Sequence, residues 1–362
     1  MKIVIGLYLR IKAMRPNTLI HTLKRFQTLF THRITVLPIA IIMPHSACNC
    51  KCVMCDIWKG NKNSKQLEEE DIRSLLISLG KLQTKRVLMS GGEALLNKNF
   101  FRFCEILTKN GIKITLLSTG LTLARHAENI ITHVDEVIVS LDGDEPLHDE
   151  IRNIKGAYAE LKNGVRTLKD LQPDFKIKAR TVIHRYNYKQ WRNIILSARD
   201  FGLDGISFLP ADVSSEAFNR PQAWEKSKQN SVLIARDDLP ELQTIVDGLI
   251  HEFVDLFESR YIAESPTKIN KIVQYYAAHH GLNSFPHKAC NAPWVSAVIE
   301  ADGTVRPCFF LEAQGNIRNE ALDVILNKPN HVLYRNKLDT NTHPTCMKCV
   351  CSLNLSPRNS NF

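Results

Sequence analysis

The sequence contains no apolar run of the roughly 18–20 residues that a membrane-spanning helix requires. Its start does not resemble a signal peptide either. The apolar stretch at residues 3–9 is short, basic residues follow it, and no small-residue cleavage site is present. These absences favour a cytoplasmic protein, in which spaced cysteines indicate metal or redox chemistry rather than a disulfide framework.

Acidic residues are missing from the first 55 positions, although the whole chain has 37 of them against 47 Lys and Arg. The first acidic residue is Asp56, and eight basic residues precede it: Lys2, Arg10, Lys12, Arg15, Lys24, Arg25, Arg33 and Lys51. A segment with positive charge only predicts an anionic partner surface. Nucleic acid is disfavoured as that partner, because no basic patch with interleaved aromatic residues is present.

Within this basic segment, residues 18–31 have the apolar spacing of an amphipathic helix that Asn17 could cap. Two interpretations remain open. The helix packs across the protein core, or it lies on an anionic membrane surface.

Strand and helix patterns alternate between residues 34 and 210. Apolar runs predict strands over 34–43, 86–90, 112–118, 136–141, 175–183 and 205–210, and helical spacing predicts helices over 67–82, 99–110, 122–132, 154–171 and 189–201. Alternating strands and helices imply a parallel sheet, and six such steps are too few to close an eight-stranded barrel. We therefore expect an open, partial (β/α)6 barrel with its chemistry at the carboxyl ends of the strands.

The alternation stops after residue 211. Helical patterns at 239–259 and 266–278 predict a helical connection, and strand patterns return at 294–300 and 304–307 around the hairpin signal Ala301-Asp302-Gly303. Five of the ten cysteines follow residue 289, which predicts a second, cysteine-bearing domain. The expected units are a basic segment over 1–33, a barrel core over 34–211, the connection over 212–285, the second domain over 286–352, and a disordered tail over 353–362.

Cys48, Cys52 and Cys55 follow the first predicted strand with the spacing C-x3-C-x2-C. Three thiolates on one loop can bind three irons of a cubane and leave the fourth iron open to a ligand. A zinc site or a group of buried thiols is the alternative for this triplet by itself. The additional Cys50 is interpreted as a spectator.

The cysteine motif and the segments after it resemble the radical S-adenosylmethionine (SAM) superfamily. The matching segments are Ser90-Gly91-Gly92-Glu93-Ala94 after the second strand, and Ser140-Leu141-Asp142-Gly143 with His148-Asp149-Glu150-Ile151-Arg152 after the fourth. The latter is similar to the SPASM and twitch subgroup. Met54 and Ala94 depart from the aromatic residue and the proline that are usual at these positions.

This resemblance implies a [4Fe–4S] cluster on Cys48, Cys52 and Cys55 that binds SAM and cleaves it to a 5′-deoxyadenosyl radical. It also implies a set of SAM-binding residues: Ser90, Gly91, Gly92 and Glu93 at the amino group, Ser118 at the end of the third strand, Ser140 at the ribose, Arg152 at the carboxylate and Leu209 on the adenine. Without the resemblance, Arg152 would be a surface charge at the start of a helix, and Leu209 a core residue. Asn187 is either a further site residue or an N-cap.

The C-terminal cysteines resemble the twitch domain, the short form of the SPASM domain, with the pattern C-x12-G-x4-C…C-x2-C. The implied ligands of one auxiliary [4Fe–4S] cluster are Cys290, Cys308, Cys346 and Cys349, with Cys351 as a possible substitute for either of the last two. A four-cysteine zinc ribbon is the alternative. The full SPASM pattern has seven cysteines and two clusters, so five cysteines predict one cluster.

An auxiliary cluster could accept the second electron when a substrate radical is oxidised. We therefore predict an oxidoreductase for a small hydroxylated or amino-sugar-like substrate or a lipid headgroup, with a flavodoxin or ferredoxin as electron donor. Radical C–C or C–S bond formation on a peptide or lipid is the second hypothesis, and a non-catalytic zinc- or cluster-stabilised binding protein is the third. Phe309 stands where sulfatase-maturing relatives carry an aspartate base, which disfavours their reaction, and no other base can be assigned.

Overall fold

The computed structural model describes residues 16–220 and 222–358. Its centre is a series of six strands: Ile39–His45 (β1), Arg86–Gly91 (β2), Lys113–Ser118 (β3), Glu136–Ser140 (β4), Lys176–Ile183 (β5) and Ile206–Pro210 (β6). Each strand pairs in parallel with the next. The partial (β/α)6 barrel predicted from the sequence is therefore confirmed.

Helices precede, separate and follow these strands. In the barrel part they are Pro16–Thr31 (α1), Glu69–Lys81 (α2), Phe100–Thr108 (α3), Ala127–His133 (α4), Glu145–Arg152 (α5), Ala157–Leu171 (α6) and Trp191–Asp200 (α7). Apolar spacing did not predict α5, which has only eight residues. Its signals are local instead, because the Asp144 carboxylate caps its start and Asn153 ends it in the left-handed conformation.

The two faces of the barrel strands have different surroundings. Buried and half-exposed residues alternate along β2, β4 and β6, so one face of the sheet packs under the helices while the other faces the open interior. Ser90, Ser140 and Leu209 lie on the open face. The strand pairing agrees with this. Ser140 pairs with Arg180 and Leu209 with Val182, and Arg180 and Val182 are two residues apart, so they lie on the same face of β5.

The cysteine-bearing C-terminal region extends the same sheet. Its strands are Ser296–Ile299 (β7), Thr304–Arg306 (β8) and Gly315–Asn316 (β9), and the order of the nine-stranded sheet is β6-β5-β4-β3-β2-β1-β7-β8-β9. The β7–β8 hairpin lies where the sequence predicts one, and β7 pairs in parallel with β1. The barrel and the C-terminal cysteines thus share one continuous sheet.

The remaining helices are Lys226–Val232 (α8), Leu239–Glu252 (α9), Val254–Glu258 (α10), Pro266–His279 (α11), Ala292–Val295 (α12), Leu322–Leu326 (α13), Pro329–Lys337 (α14) and Pro344–Met347 (α15). The single helix expected over 239–259 is divided at Phe253, whose side chain is buried and whose backbone leaves the helical conformation.

The C-terminal end is packed as far as it is described, in place of the disordered tail expected from residue 353. Leu355 is buried, its amide donates to the Asn291 side chain, and its carbonyl accepts from Arg25 of α1. These contacts connect partners more than 60 residues apart, which local sequence cannot indicate. Residues 359–362 of that prediction lie outside the described range.

Candidate active site

The cysteine loop lies between the carboxyl end of β1 and the carboxyl end of α5. The amide of Lys51 donates to the Arg152 carbonyl at 3.0 Å and that of Val53 to the Ile151 carbonyl at 3.1 Å. The last carbonyls of a helix have no partner within the helix, so they are natural acceptors for these loop amides. Asn61 binds both the amide and the carbonyl of Cys48, at 3.0 and 2.8 Å, from the other side.

The loop brings four thiols together. Cys50 and Cys52 are buried, while Cys48 and Cys55 are half-buried. The Cys50 thiol hydrogen-bonds to both Cys48 and Cys52, and this lowers the pKa of each of those two thiols. Cys50 therefore lies among the other thiols of the loop. Its predicted role as a spectator is not tested by this arrangement.

Gly91 and Gly92, at the end of β2, bring the backbone of this strand end against the cysteine loop itself. Gly91 has a φ of +114°, and a Cβ at Gly92 would lie 2.1 Å from the Ala47 carbonyl oxygen. The sequence predicts a close approach to SAM at these residues, and the structure shows a close approach to the loop. The Glu93 amide continues the contact by donating to the Ala47 carbonyl at 2.9 Å.

Glu93 is fully buried and joins the ends of β2 and β3. Its carboxylate accepts hydrogen bonds from the Thr119 amide at 2.7 Å, the Thr119 hydroxyl at 2.8 Å and the Ser118 hydroxyl at 3.0 Å. Burial raises the pKa of Glu93, and the hydrogen bonds from Thr119 oppose that rise. Ser118 is thus occupied with Glu93 on the buried face, away from the open face that carries Ser90, Ser140 and Leu209.

Arg152 is the last residue of α5 and is buried, so it is neither exposed nor at a helix start. Its guanidinium forms an ion pair with the fully buried Asp142, and its Nη1 lies 3.5 Å from the Cys52 sulfur. Burial raises the pKa of Asp142, which the Arg152 charge opposes. The Nε of Arg152 has no hydrogen-bond partner among the described residues. This arrangement places a fixed positive charge beside the four cysteine thiols of the loop.

Asn187 organises the backbone after β5. Its amide nitrogen donates to the carbonyls of Asp142 and Val182, both at 3.0 Å, and its amide oxygen accepts from His184. It makes no side-chain cap bond to the 3-10 turn that follows. Asn187 therefore holds the backbone of Asp142 in place.

A cleft of about 610 Å³ opens between the cysteine loop and the C-terminal hairpin. Gly91 and Gly92 line one side, and Phe309 and Phe310, which follow Cys308, line the other. Phe218 completes an aromatic group, with its ring centroid 5.0 Å from that of Phe309. Leu209 lines a different cavity, of about 390 Å³, so the structure does not bring it together with the two glycines.

The segment around Phe218 lies within the predicted helical connection, where no sequence motif indicates a functional residue. Arg220 is buried, pairs with Asp212 at 2.6 Å and stacks 3.9 Å from the centre of the Trp224 ring. Trp224 donates to Asp56, the residue after Cys55, at 2.6 Å. Because Trp224 and Asp56 are 168 positions apart, no spacing pattern signals this contact.

The C-terminal cysteines gather beyond the hairpin. Cys308 and Cys346 pack on a small hydrophobic cluster around Trp294. Burial, together with the nearby thiols of Cys346 and Cys290, raises the pKa of Cys308 to about 12. The Cys349 sulfur lies 3.0 Å from the Cys351 carbonyl, and the Lys288 ammonium contacts the Cys349 carbonyl. The choice between Cys349 and Cys351 as a ligand stays a prediction.

The cysteines match iron–sulfur clusters in number and type, because each iron of a cubane takes one thiolate and the predicted ligands number three in the loop and four in the C-terminal region. In the described residues 16–220 and 222–358, no group of three or more His, Cys, Asp or Glu is placed to hold a metal ion. In the same part of the chain, no helix combines the length and the apolar character that crossing a membrane requires.

Two parts of the chain match protein families. Residues 42–205 match the radical SAM superfamily, and residues 290–350 match SPASM, an iron–sulfur cluster-binding domain. The second match begins at Cys290 and ends directly after Cys349.

The curated relatives that the chain matches are distant. The sporulation killing factor maturation protein SkfB of Bacillus subtilis is 22% identical over 265 residues, 73% of this chain and 58% of SkfB. The subtilosin biosynthesis protein AlbA of the same species is 22% identical over 294 residues, 78% of this chain and 58% of AlbA. The Fe-coproporphyrin III synthase of Methanosarcina barkeri is 24% identical over 54% of this chain and 50% of that protein. The matches therefore span between half and three fifths of these relatives.

Solved structures share the fold. Streptococcus suis SuiB bound to SAM has a TM-score of 0.61 at 13% identity, covering 92% of this chain and 78% of SuiB. The protein anSMEcpe with bound SAM has a TM-score of 0.61 at 18% identity, covering 86% of each chain. At these identities the likeness shows a common fold and nothing further.

Proposed function

Since the chain belongs to the radical SAM superfamily and carries a SPASM-type domain, we propose that it cleaves SAM at Cys48, Cys52 and Cys55 to start a radical reaction. Its cofactors are a SAM-binding [4Fe–4S] cluster, SAM and an auxiliary iron–sulfur cluster. When bound, these groups supply one-electron cleavage of SAM to methionine and a 5′-deoxyadenosyl radical. The observation that carries the proposal is the group of loop thiols at the carboxyl ends of the barrel strands, facing Arg152.

The protein's own residues would bind and orient SAM. Arg152 is proposed for the SAM carboxylate, because its two Nη atoms carry four N–H groups and the contacts to Asp142 and Cys52 leave some of them as further donors. Ser140 on the open face is proposed for the ribose. Gly91 and Gly92 border the cleft and leave backbone accessible to the amino group. Glu93 and Ser118 would act by holding this turn, since they bind each other.

We further propose that the reaction oxidises the substrate, which would lie in the cleft between the cysteine loop and Phe309. With SAM bound at the cysteine loop and an auxiliary cluster held by Cys290, Cys308, Cys346 and Cys349, these groups would supply the removal of one hydrogen atom and one further electron from the substrate. A carboxylate of this chain would accept the remaining proton. Four carboxylates line the cleft and could accept that proton: Glu216, Glu300, Asp302 and Glu312.

The test is 5′-deoxyadenosine formation by anaerobically reconstituted protein with SAM and dithionite, together with its metal content. We expect 5′-deoxyadenosine and about eight irons per chain, as two four-iron clusters require. Zinc in place of iron, with no SAM cleavage, would support a zinc-stabilised binding protein instead. The Cys346→Ala variant should retain SAM cleavage and lose about four irons; an unchanged iron count would refute Cys346 as a ligand.

Bond formation on a peptide is the second candidate. The names of SkfB and AlbA refer to maturation of a sporulation killing factor and to biosynthesis of the bacteriocin subtilosin, and one SuiB structure holds the precursor peptide SuiA. Candidate substrates that carry C–D bonds show whether the hydrogen comes from a peptide or from a small molecule, because the abstracted deuterium appears in 5′-deoxyadenosine. Transfer from a labelled peptide but from no small polyol would favour the peptide reaction.

Two partners remain proposals: a flavodoxin or ferredoxin as electron donor, and an anionic membrane at the basic N-terminal segment. The membrane contact depends on α1 rather than on the cysteine sites.

A further inference from the structure

Helix α1 packs with its polar side toward the protein. Arg25 is only 1% exposed, and its Nη2 donates to the carbonyls of Leu355 and Ser356 at 3.2 and 2.6 Å. Thr28 is equally buried, and its hydroxyl lies 2.9 Å from that of Thr35. Because α1 is tied by these polar contacts, it cannot roll its opposite face inward without breaking them.

The opposite face of α1 is apolar and exposed. Ile20, Leu23, Phe26 and Phe30 are 51%, 61%, 45% and 85% exposed. Steps of three, three and four residues place these side chains on one stripe of the helix. This orientation differs from the packing expected of an amphipathic core helix, which buries its apolar side.

The apolar surface continues onto α14. Phe30 and Arg33 border a groove whose other wall includes Pro329, Val332 and Leu333, and Leu333 is 50% exposed. Two elements from opposite ends of the chain thus form one contiguous apolar surface. Surfaces of this kind mark interaction sites, unlike single exposed apolar residues.

The charges around this surface indicate what covers it. Lys24 flanks the stripe, Arg33 follows α1 on an exposed turn, and residues 1–55 contain no acidic residue. Four more basic residues precede α1 in the sequence, outside the described range: Lys2, Arg10, Lys12 and Arg15. An apolar stripe bordered by positive charge is typical of helices that lie in the interface of anionic membranes.

We propose that the outward face of α1, together with Leu333, docks onto an anionic lipid bilayer with Ile20, Leu23, Phe26 and Phe30 inserted at the headgroup level. The inference specifies the surface and the orientation of the membrane contact proposed above. It does not depend on SAM cleavage, so the two can fail separately.

The experiment is co-sedimentation of the full-length reconstituted protein with phosphatidylcholine vesicles that contain or lack phosphatidylglycerol. We expect binding to the anionic vesicles that weakens with added salt. The double variant Leu23→Ser/Phe30→Ser should lower the partition coefficient roughly tenfold or more, since it removes two inserted apolar side chains. The control Ile77→Ser/Leu171→Ser changes exposed apolar residues elsewhere, at 65% and 50% exposure, and should leave binding unchanged.

Three results would overturn the proposal: no binding of the wild type to anionic vesicles, equal loss in both double variants, or a stable dimer that Leu23→Ser/Phe30→Ser separates into monomers. The last result would assign the surface to a second copy of the chain. Formation of 5′-deoxyadenosine by the Leu23→Ser/Phe30→Ser variant should equal that of the wild type, which shows that the variant is folded.

Discussion

Single residues in the cysteine loop have positions that spacing alone does not distinguish. Cys50 and Cys52 are two positions apart and both buried, yet only Cys52 belongs to the C-x3-C-x2-C pattern. The Cys50 thiol contacts those of Cys48 and Cys52 and lowers the pKa of both, whereas Cys52 also faces the Arg152 guanidinium. A cationic neighbour favours the thiolate form that binds iron.

We predict that Cys52→Ala abolishes SAM cleavage, because one iron of the cubane loses its protein ligand. Cys50→Ala should retain SAM cleavage, since Cys50 contacts the neighbouring thiols but is not a predicted ligand of the cluster. The measurement is 5′-deoxyadenosine per chain under dithionite. Undiminished product from Cys52→Ala would refute the assignment of the loop, and complete loss in Cys50→Ala would refute the spectator role.

The buried ion pair of Asp142 and Arg152 has consequences for stability. In Asp142→Asn the guanidinium stays buried without its countercharge, which costs about 3–5 kcal/mol. The matched control is Glu252→Gln, which removes an exposed ion pair with Arg192 and should hardly change the free energy of unfolding, because solvent screens that pair. Urea unfolding of the metal-free proteins measures both. Similar midpoints for the two variants would show that Arg152 finds another partner.

Among the structural elements, the turn after β2 connects the barrel to the cysteine loop. Glycine is required at both positions because the backbone of the cysteine segment lies too close for a side chain. A Cβ would meet the His45 carbonyl oxygen at Gly91 and the Ala47 carbonyl oxygen at Gly92. The turn is thus part of the support that shapes the loop. This role is compatible with a contact to SAM, which remains a proposal.

We predict that Gly92→Ala displaces the cysteine loop and prevents stable incorporation of the SAM-binding cluster. Gly80→Ala is the control, since Gly80 lies within α2 and a Cβ there meets no atom within 4 Å. Alanine in a helix is favoured over glycine by roughly 0.5–1 kcal/mol, so this variant should be slightly more stable. Iron content after reconstitution distinguishes them, and normal iron in Gly92→Ala would contradict the steric argument.

At the scale of the whole molecule, the parallel pairing of β1 with β7 joins the barrel and the C-terminal region in one continuous sheet. The edge of β1 is covered by β7, and the buried strand residues Ala297, Val298 and Ile299 complete the core beside it. An uncovered edge strand exposes hydrogen-bonding groups that promote aggregation.

We therefore expect that a chain ending at residue 285 does not remain a soluble monomer, even though it retains all six barrel strands. Size-exclusion chromatography of the truncated protein measures this directly. A well-behaved truncated monomer with native circular dichroism would show that the barrel is independent of the C-terminal region.

The alternating strands and helices and the local motifs follow from the sequence pattern alone. Apolar periodicity reports burial on one side of a strand or helix, so β1–β6 and most helices were predictable within a few residues. Cysteine spacing indicated the Cys48–Cys55 loop, and the turn signal Ala301-Asp302-Gly303 between two strand patterns indicated the β7–β8 hairpin.

Which distant segments meet is a result of tertiary packing. Nothing in the sequence pattern indicates that β7 pairs with β1, that Trp224 binds Asp56, or that Arg25 is buried against the C-terminal end. The apolar spacing of α1 predicted the helix but not the side that faces outward. The physical reason is that these outcomes depend on the partners available in space, whereas periodicity and spacing describe only each segment's own surface.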